Sequence, residues 1–201
     1  MNAGDLAFDA RHVVAFHEAC LDSGNWPGED APALPGGDAW PWVEANHACN
    51  ARLWMEEDRV RRPDASDAAI ASGKRAIDRL NQQRNDAIER LDDALAAALA
   101  ACMDEGAPLN SETPGMIVDR LSILALRIRA MAAQARREDA GAEHMRRCAE
   151  RVALLEERRR DLAGCLAALL AACCSGRARF KVYRSFKMYN DPALNPQIYG
   201  R

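Results

Sequence analysis

Residues Lys74 to Asp92, KRAIDRLNQQRNDAIERLD, constrain the fold more than any other stretch. At about 100° per residue, Ile70, Ile77, Arg84, Ile88, Leu91 and Leu95 fall on one helical stripe. Lys74, Asp78, Asn81, Asn85 and Asp92 fall on the next stripe over, so a polar row borders the buried face. Burying an unpaired amide costs roughly 1–3 kcal/mol, and a lone charge more. The row must therefore pair with other helices or face a polar cavity.

The surrounding chain predicts an all-α fold. Apolar residues make up 49% of the 201 but aromatics only 5%, and Ala and Leu dominate, which favours close-packed helices over a β-rich sandwich. The length suits one core. The expected architecture is an antiparallel bundle of four main helices with an extra N-terminal helix and a C-terminal basic aromatic tail. Residues 1–37 would form that first helix and a Pro/Gly-rich arm, 38–175 the bundle, and 176–201 the tail.

Helix punctuation sets the boundaries. Leu6, Val13, Phe16 and Cys20 recur at helical intervals within 5–21. Pro27, Pro32, Pro35 and four glycines make 22–37 a surface arm, which Trp26, Trp40 and Trp42 would pin to the body. Asp38 is expected to cap a second helix to about Arg62, stopped by Pro63. One side of it carries His47, Asn50, Trp54, Asp58 and Arg61, with Glu57 beside them. Asp64 or Ser66 can cap a third helix to about Met103, roughly 57 Å long at 1.5 Å per residue, with Gly73 a candidate bend. Thr113-Pro114 starts a fourth. That helix is apolar almost all round, so Asp119, Arg120 and Arg127 need partners inside the fold. Residues 142–174 form the fifth, with Met145, Cys148, Val152, Leu155, Leu162, Leu166, Leu169 and Cys173 facing inward.

The tail differs in kind. From Gly176 it holds six basic residues and one acid, all three tyrosines and two of the four phenylalanines. It can bind phosphates or fold back across the bundle. Overall, 27 basic against 30 acidic residues give a charge of −3, which argues against nucleic acid as a partner. No basic, then apolar, then small-residue leader opens the chain, and the greasiest runs, Ala94–Met103 and Leu162–Cys174, fall short of the roughly 20 residues a bilayer span needs. A cytoplasmic protein is expected. Seven cysteines without a C-x-x-C pair suggest reduced core residues; adjacent Cys173 and Cys174 are open to oxidation.

Four blocks carry a family resemblance: His47-x-x-Asn50 with Leu53-Trp54 and Glu57-Asp58-x-x-Arg61; Lys74-Arg75-x-Ile77-Asp78-x-x-Asn81-Gln82-x-Arg84-Asn85-Asp86-x-Ile88-Glu89; SETPGMIVDRLSILALRI; and KVYRSFKMYNDPALNP. Together the chain resembles the bacterial family known as domain of unknown function 4254 over about residues 40–199, whereas the arm before Asp38 is particular to this chain. The resemblance implies an all-helical cytoplasmic protein, similar to ones encoded near glycosyltransferases of envelope polysaccharide synthesis.

Several chemistries compete for the polar rows. A Mg-dependent nucleotide pyrophosphohydrolase would need Glu-x-x-Glu facing Glu-x-x-Asp. Glu89-x-x-Asp92 supplies the second, but Glu56, Glu57 and Asp58 are adjacent and position 60 is Val. A di-iron site finds one good pair, Glu44-x-x-His47; Asp9-x-x-His12 is a poor second and His144 has none. There is no G-x-S-x-G or Gly-rich phosphate loop, and Cys49 cannot share a helix face with His47. No cofactor or resident metal is expected, Mg entering only with the hydrolase.

If the second and third helices pack antiparallel, Asn50, Trp54, Glu57, Asp58 and Arg61 face Lys74, Asp78, Asn81 and Asn85. Trp would stack on sugar carbons, amides read hydroxyls, and Arg or Lys hold phosphate. Arg84, Glu89, Asp92, Arg120, Lys187 and Asn190 would stand at the rim. This predicts binding, with or without turnover, of a small anionic or sugar-like compound in envelope glycan metabolism. Two alternatives stay open. The rows can be self-satisfied pairs that fix helix register. Alternatively, the chain is an interaction module docking on a glycosyltransferase or a second copy, which would expose apolar patches.

Overall fold

The computed structural model describes residues 8–28, 31–185 and 193–196. Within them the chain is all-helical: α1 (Ala10–Asp22), α2 (Trp40–Val60), α3 (Asp67–Leu99), α4 (Pro114–Ala135) and α5 (Ala142–Cys174), with a short 3₁₀ turn at Glu138–Ala140. No strand occurs among the described residues. No described helix is long and apolar enough to cross a membrane.

Capping chemistry explains most of the starts. The Asp9 carboxylate accepts from the N–H groups of Arg11 and His12, Ser66 from Ala69, and Thr113 from Met116 with Pro114 in the first turn. These side chains satisfy donors that the first helical turn leaves unpaired. The second helix departs from expectation. It starts at Trp40 after Ala39 with no side-chain cap, so Asp38 does not cap it; Pro41 in the first turn removes one donor instead. The third helix ends at Leu99, a turn short of Met103.

Helix α2 packs chiefly on α3, and α4 chiefly on α5, while α1, α2 and α3 all reach α4. Val60 at the end of α2 lies over Gly73 near the start of α3, where an added Cβ would collide with the Val60 side chain. Gly73 thus lets the two helices approach, and α3 runs through it unbroken. The core joins Trp40, Val43, Leu91, Leu95, Leu99, Val118, Leu121, Leu166 and Cys173, all within 1% of complete burial. Phe8 and Phe16 close on Trp40 at 5.3 and 5.7 Å. Trp42, by contrast, is exposed, and so is Ile70 at the free end of the α3 stripe. On α5, Cys148, Leu166, Leu169 and Cys173 are buried, whereas Met145, Val152, Leu155 and Leu162 are half-buried.

After α5 the chain returns over α3. Arg179 exchanges backbone hydrogen bonds with Pro108 and Asn110 at 3.0 and 2.8 Å, Phe180 enters the core, and Arg184 pairs with Glu89 and Asp93. All seven cysteines are free thiols; Cys165 is exposed.

Candidate functional site

The helix α4 sequence MIVDRLSIL puts Asp119 and Ser122 on the face turned toward α2, where both are buried. A carboxylate can only accept, so the amides of Asn46 and Asn50 turn their nitrogens to Asp119 Oδ1, each at 2.9 Å. Asn50 Nδ2 also donates to Ser122 Oγ at 3.0 Å. The His17 carbonyl can only accept, so His47 Nε2 carries the proton toward it at 3.2 Å. His47 Nδ1 then accepts the Ser122 hydroxyl proton at 2.7 Å. Burial holds His47 neutral, with its pKa down to about 4. Its ring lies between His17 at 4.3 Å and Trp26 at 4.4 Å, the latter stacked. His47 therefore serves the interior.

Asn50 is where this network meets a cleft of about 270 Å³ between α2, α3 and α4. Asn50 and Leu53 belong to its inner wall, being buried, while the half-exposed Trp54 stands at its mouth. Helix α2 adds Glu57, Asp58 and, as its C-cap residue, Arg61; helix α3 adds Asn81 and Arg84, and helix α4 adds Ile123, Leu126 and Arg127. Arg61 is tied to Glu57 at 2.8 Å. Arg84 is the less satisfied cation: its Nε is buried without a hydrogen-bond partner, and its nearest carboxylate is Asp119 at 3.8 Å. That distance supplies attraction but not a hydrogen bond.

Seven of the residues expected from the sequence thus come together: Asn50, Trp54, Glu57, Asp58, Arg61, Asn81 and Arg84. The others go elsewhere. Lys74 and Asp78 form a solvent-facing pair at 3.0 Å, and Asn85 is half-buried outside the cleft lining. Glu89 binds Arg184 and the Ser185 N–H. Asp92 is buried under the start of α4, where it accepts from the Gly115 N–H at 2.6 Å; burial lifts its pKa to about 6. Arg120 pairs with Glu112 in a neighbouring cleft. Lys187 and Asn190 lie outside the described residues. Sequence periodicity missed Asn46, Ser122, Leu126 and Ile123. Ser122 and Asn46 were discoverable as polar residues inside apolar helical faces.

The acidic residues considered for a metal have separate engagements: Glu56 with Arg59, Glu57 with Arg61, Glu89 with Arg184. Among the described residues no group of three or more His, Cys, Asp or Glu is arranged to hold a metal ion. No curated protein and no solved structure matches the chain. A family model does, over residues 40–182, which takes in α2 through α5, the cleft and the strand-like return at Arg179. The chain belongs to the family described as protein of unknown function (DUF4254).

Proposed function

We propose that the cleft between α2, α3 and α4 binds a small anionic or sugar-like compound. The observation that supports this reading is Arg84, a cation at the cleft wall whose buried Nε lacks an acceptor. A guanidinium has five donors, and an anionic oxygen in the cleft would satisfy those that Asp119 leaves free. Trp54 offers an aromatic face at the mouth, and Asn50 and Asn81 offer amides for hydroxyl groups. At about 270 Å³ the cleft falls just below the roughly 300–1,000 Å³ of drug-sized pockets, so it suits a single ring with one phosphate or carboxylate better than a nucleotide sugar.

In this reading α2–α5 act as an antiparallel bundle, and the protein works in the cytoplasm. The setting in bacterial envelope glycan metabolism comes from the family resemblance alone. The rival, an interaction module, draws support from Met55 and Leu154, which are 61% and 60% exposed. Thermal unfolding in the presence of hexose phosphates and free polyols separates the two. A ligand at 100 times its Kd adds about 2.7 kcal/mol, a rise in Tm of about 5–10 °C for a chain of this size. Arg84→Ala and Asn81→Ala should abolish that rise. If no such compound raises the Tm of the parent protein, the binding reading is wrong.

A further inference from the structure

A second cleft, of about 480 Å³, lies between α4 and α5. It shares Ile123 and Arg127 with the first, so these two residues, one turn apart on α4, form a crest with a cleft on either side. Arg120, one turn earlier on the same face, and Arg158 from α5 line the second side together with Asp161. Among the described residues neither Arg127 nor Arg158 has a carboxylate within 4.0 Å, although Asp161 is three positions from Arg158 on the same helix. Five arginines line the joined clefts; Arg61 and Arg120 are paired with Glu57 and Glu112 and Arg84 lies 3.8 Å from Asp119, which leaves Arg127 and Arg158, among the described residues, as the two cations without a carboxylate partner. Cations left unpaired in adjoining concave surfaces focus a positive field and raise the local concentration of anions.

We infer that the two clefts form one bipartite site for a doubly anionic ligand, with a sugar ring and first anionic group at Trp54 and Arg84 and a second anionic group carried over the α4 crest to Arg127 and Arg158. The inference rests on the proposed binding function and specifies its ligand class. Arg127 touches both halves and couples them. Arg158 touches only the second, so it can be removed without disturbing the first.

Calorimetric titration with glucose 1-phosphate and with glucose 1,6-bisphosphate tests this. The bisphosphate should bind at least tenfold more tightly, and its affinity should fall more steeply with added salt. Arg158→Ala should weaken the bisphosphate severalfold, Arg127 remaining, and leave the monophosphate unchanged, whereas Arg84→Ala should weaken both. Arg158 is exposed on α5, so its replacement leaves the core intact, and an unchanged unfolding midpoint checks this. Equal affinities for the two sugars, insensitive to Arg158→Ala, would overturn the bipartite site and leave the single-cleft function standing. Failure of both sugars to bind would overturn both.

Discussion

Asn50 Nδ2 lies 2.9 Å from Asp119 Oδ1, and the same oxygen receives Asn46 Nδ2 at the same distance. One carboxylate oxygen thus gathers two amides of α2 and, at 3.8 Å, the Arg84 guanidinium of α3. Three helices are registered on a single acceptor. Asp119→Ala would leave two buried amides and one partly buried cation without it. Removing one partner of such a group costs about 3–5 kcal/mol, and urea unfolding should show a loss of that size. Asp119→Asn can keep its Oδ1 toward both amides and should cost less.

Two buried groups of opposite type set the response to acid. The Asp92 carboxyl, lifted by burial to about 6 from 3.8, holds a proton in the folded state between roughly pH 4 and 6 that the unfolded chain has released. Its contribution to stability is present below that window and lost as pH rises through it. His47, lowered by burial from 6.5 to about 4, lacks a proton that the unfolded chain takes up. Its contribution is lost as pH falls through the same window, and His17, lowered mainly by burial, acts in the same sense. Each of the two large shifts corresponds to about 3 kcal/mol, with opposite sign. Asp92→Asn, which keeps an oxygen for the Gly115 N–H, should therefore gain about 3 kcal/mol relative to the parent between pH 4 and 6.5. Urea unfolding at a series of pH values measures it, and a difference that does not change with pH would contradict the assignment.

The two helix contacts made through glycine should respond differently to a methyl group. A Cβ on Gly115 would lie 2.7 Å from the Ile88 carbonyl oxygen and 2.8 Å from Asp92 Oδ1. Backbone and a hydrogen-bonded carboxylate cannot yield without moving α4 off α3, so Gly115→Ala should cost about 1–3 kcal/mol. At Gly73 the obstacle is the side chain of Val60, on the last turn of α2. Alanine there also gains about 1 kcal/mol of helix propensity. Valine is stiff at χ1, so α2 must shift to make room, and thermal unfolding should show a loss at both sites, the one at Gly73 partly offset by that propensity.

Much of this was readable in the chain. Thr113-Pro114 and Ser66 announce their helix starts because a hydroxyl followed by a free N–H is a local device, and α5 spans 142–174 as its apolar spacing predicts. Asp119 declared itself as a carboxylate in an apolar helix that must find partners inside. What the spacing could not give is which end of a row meets another helix. Lys74 and Asp78 share a stripe with Asn81, yet α2 is already ending beside Gly73, so they face water and bind each other. Asp92, at the other end of the row, is claimed by the first turn of α4. That depends on where a helix beginning 22 residues later is placed, which no local pattern encodes.

The chain after α5 offers a contrast between two ways of holding a segment. Phe180 is 5% exposed and belongs to the core with Leu99 and Cys173, so Phe180→Ala removes a ring from a packed interior at a cost of about 3–5 kcal/mol. Arg184, four residues on, makes ion pairs with Glu89 and Asp93 at 3.3 and 2.9 Å, but its side chain is 53% exposed. Water competes for such a charge and salt screens it, so Arg184→Ala should leave the unfolding midpoint close to that of the parent. The distinction is local as well as global. Losing Arg184 removes the ion pairs that hold this segment against Glu89 and leaves the Ser185 N–H bond to Glu89 as the remaining tie, so that bond should open more often and amide hydrogen exchange at Ser185 should quicken while exchange in α3 and α5 stays as it was. Faster exchange throughout α3 after Arg184→Ala would show instead that the ion pairs, and not the buried ring, fasten this segment.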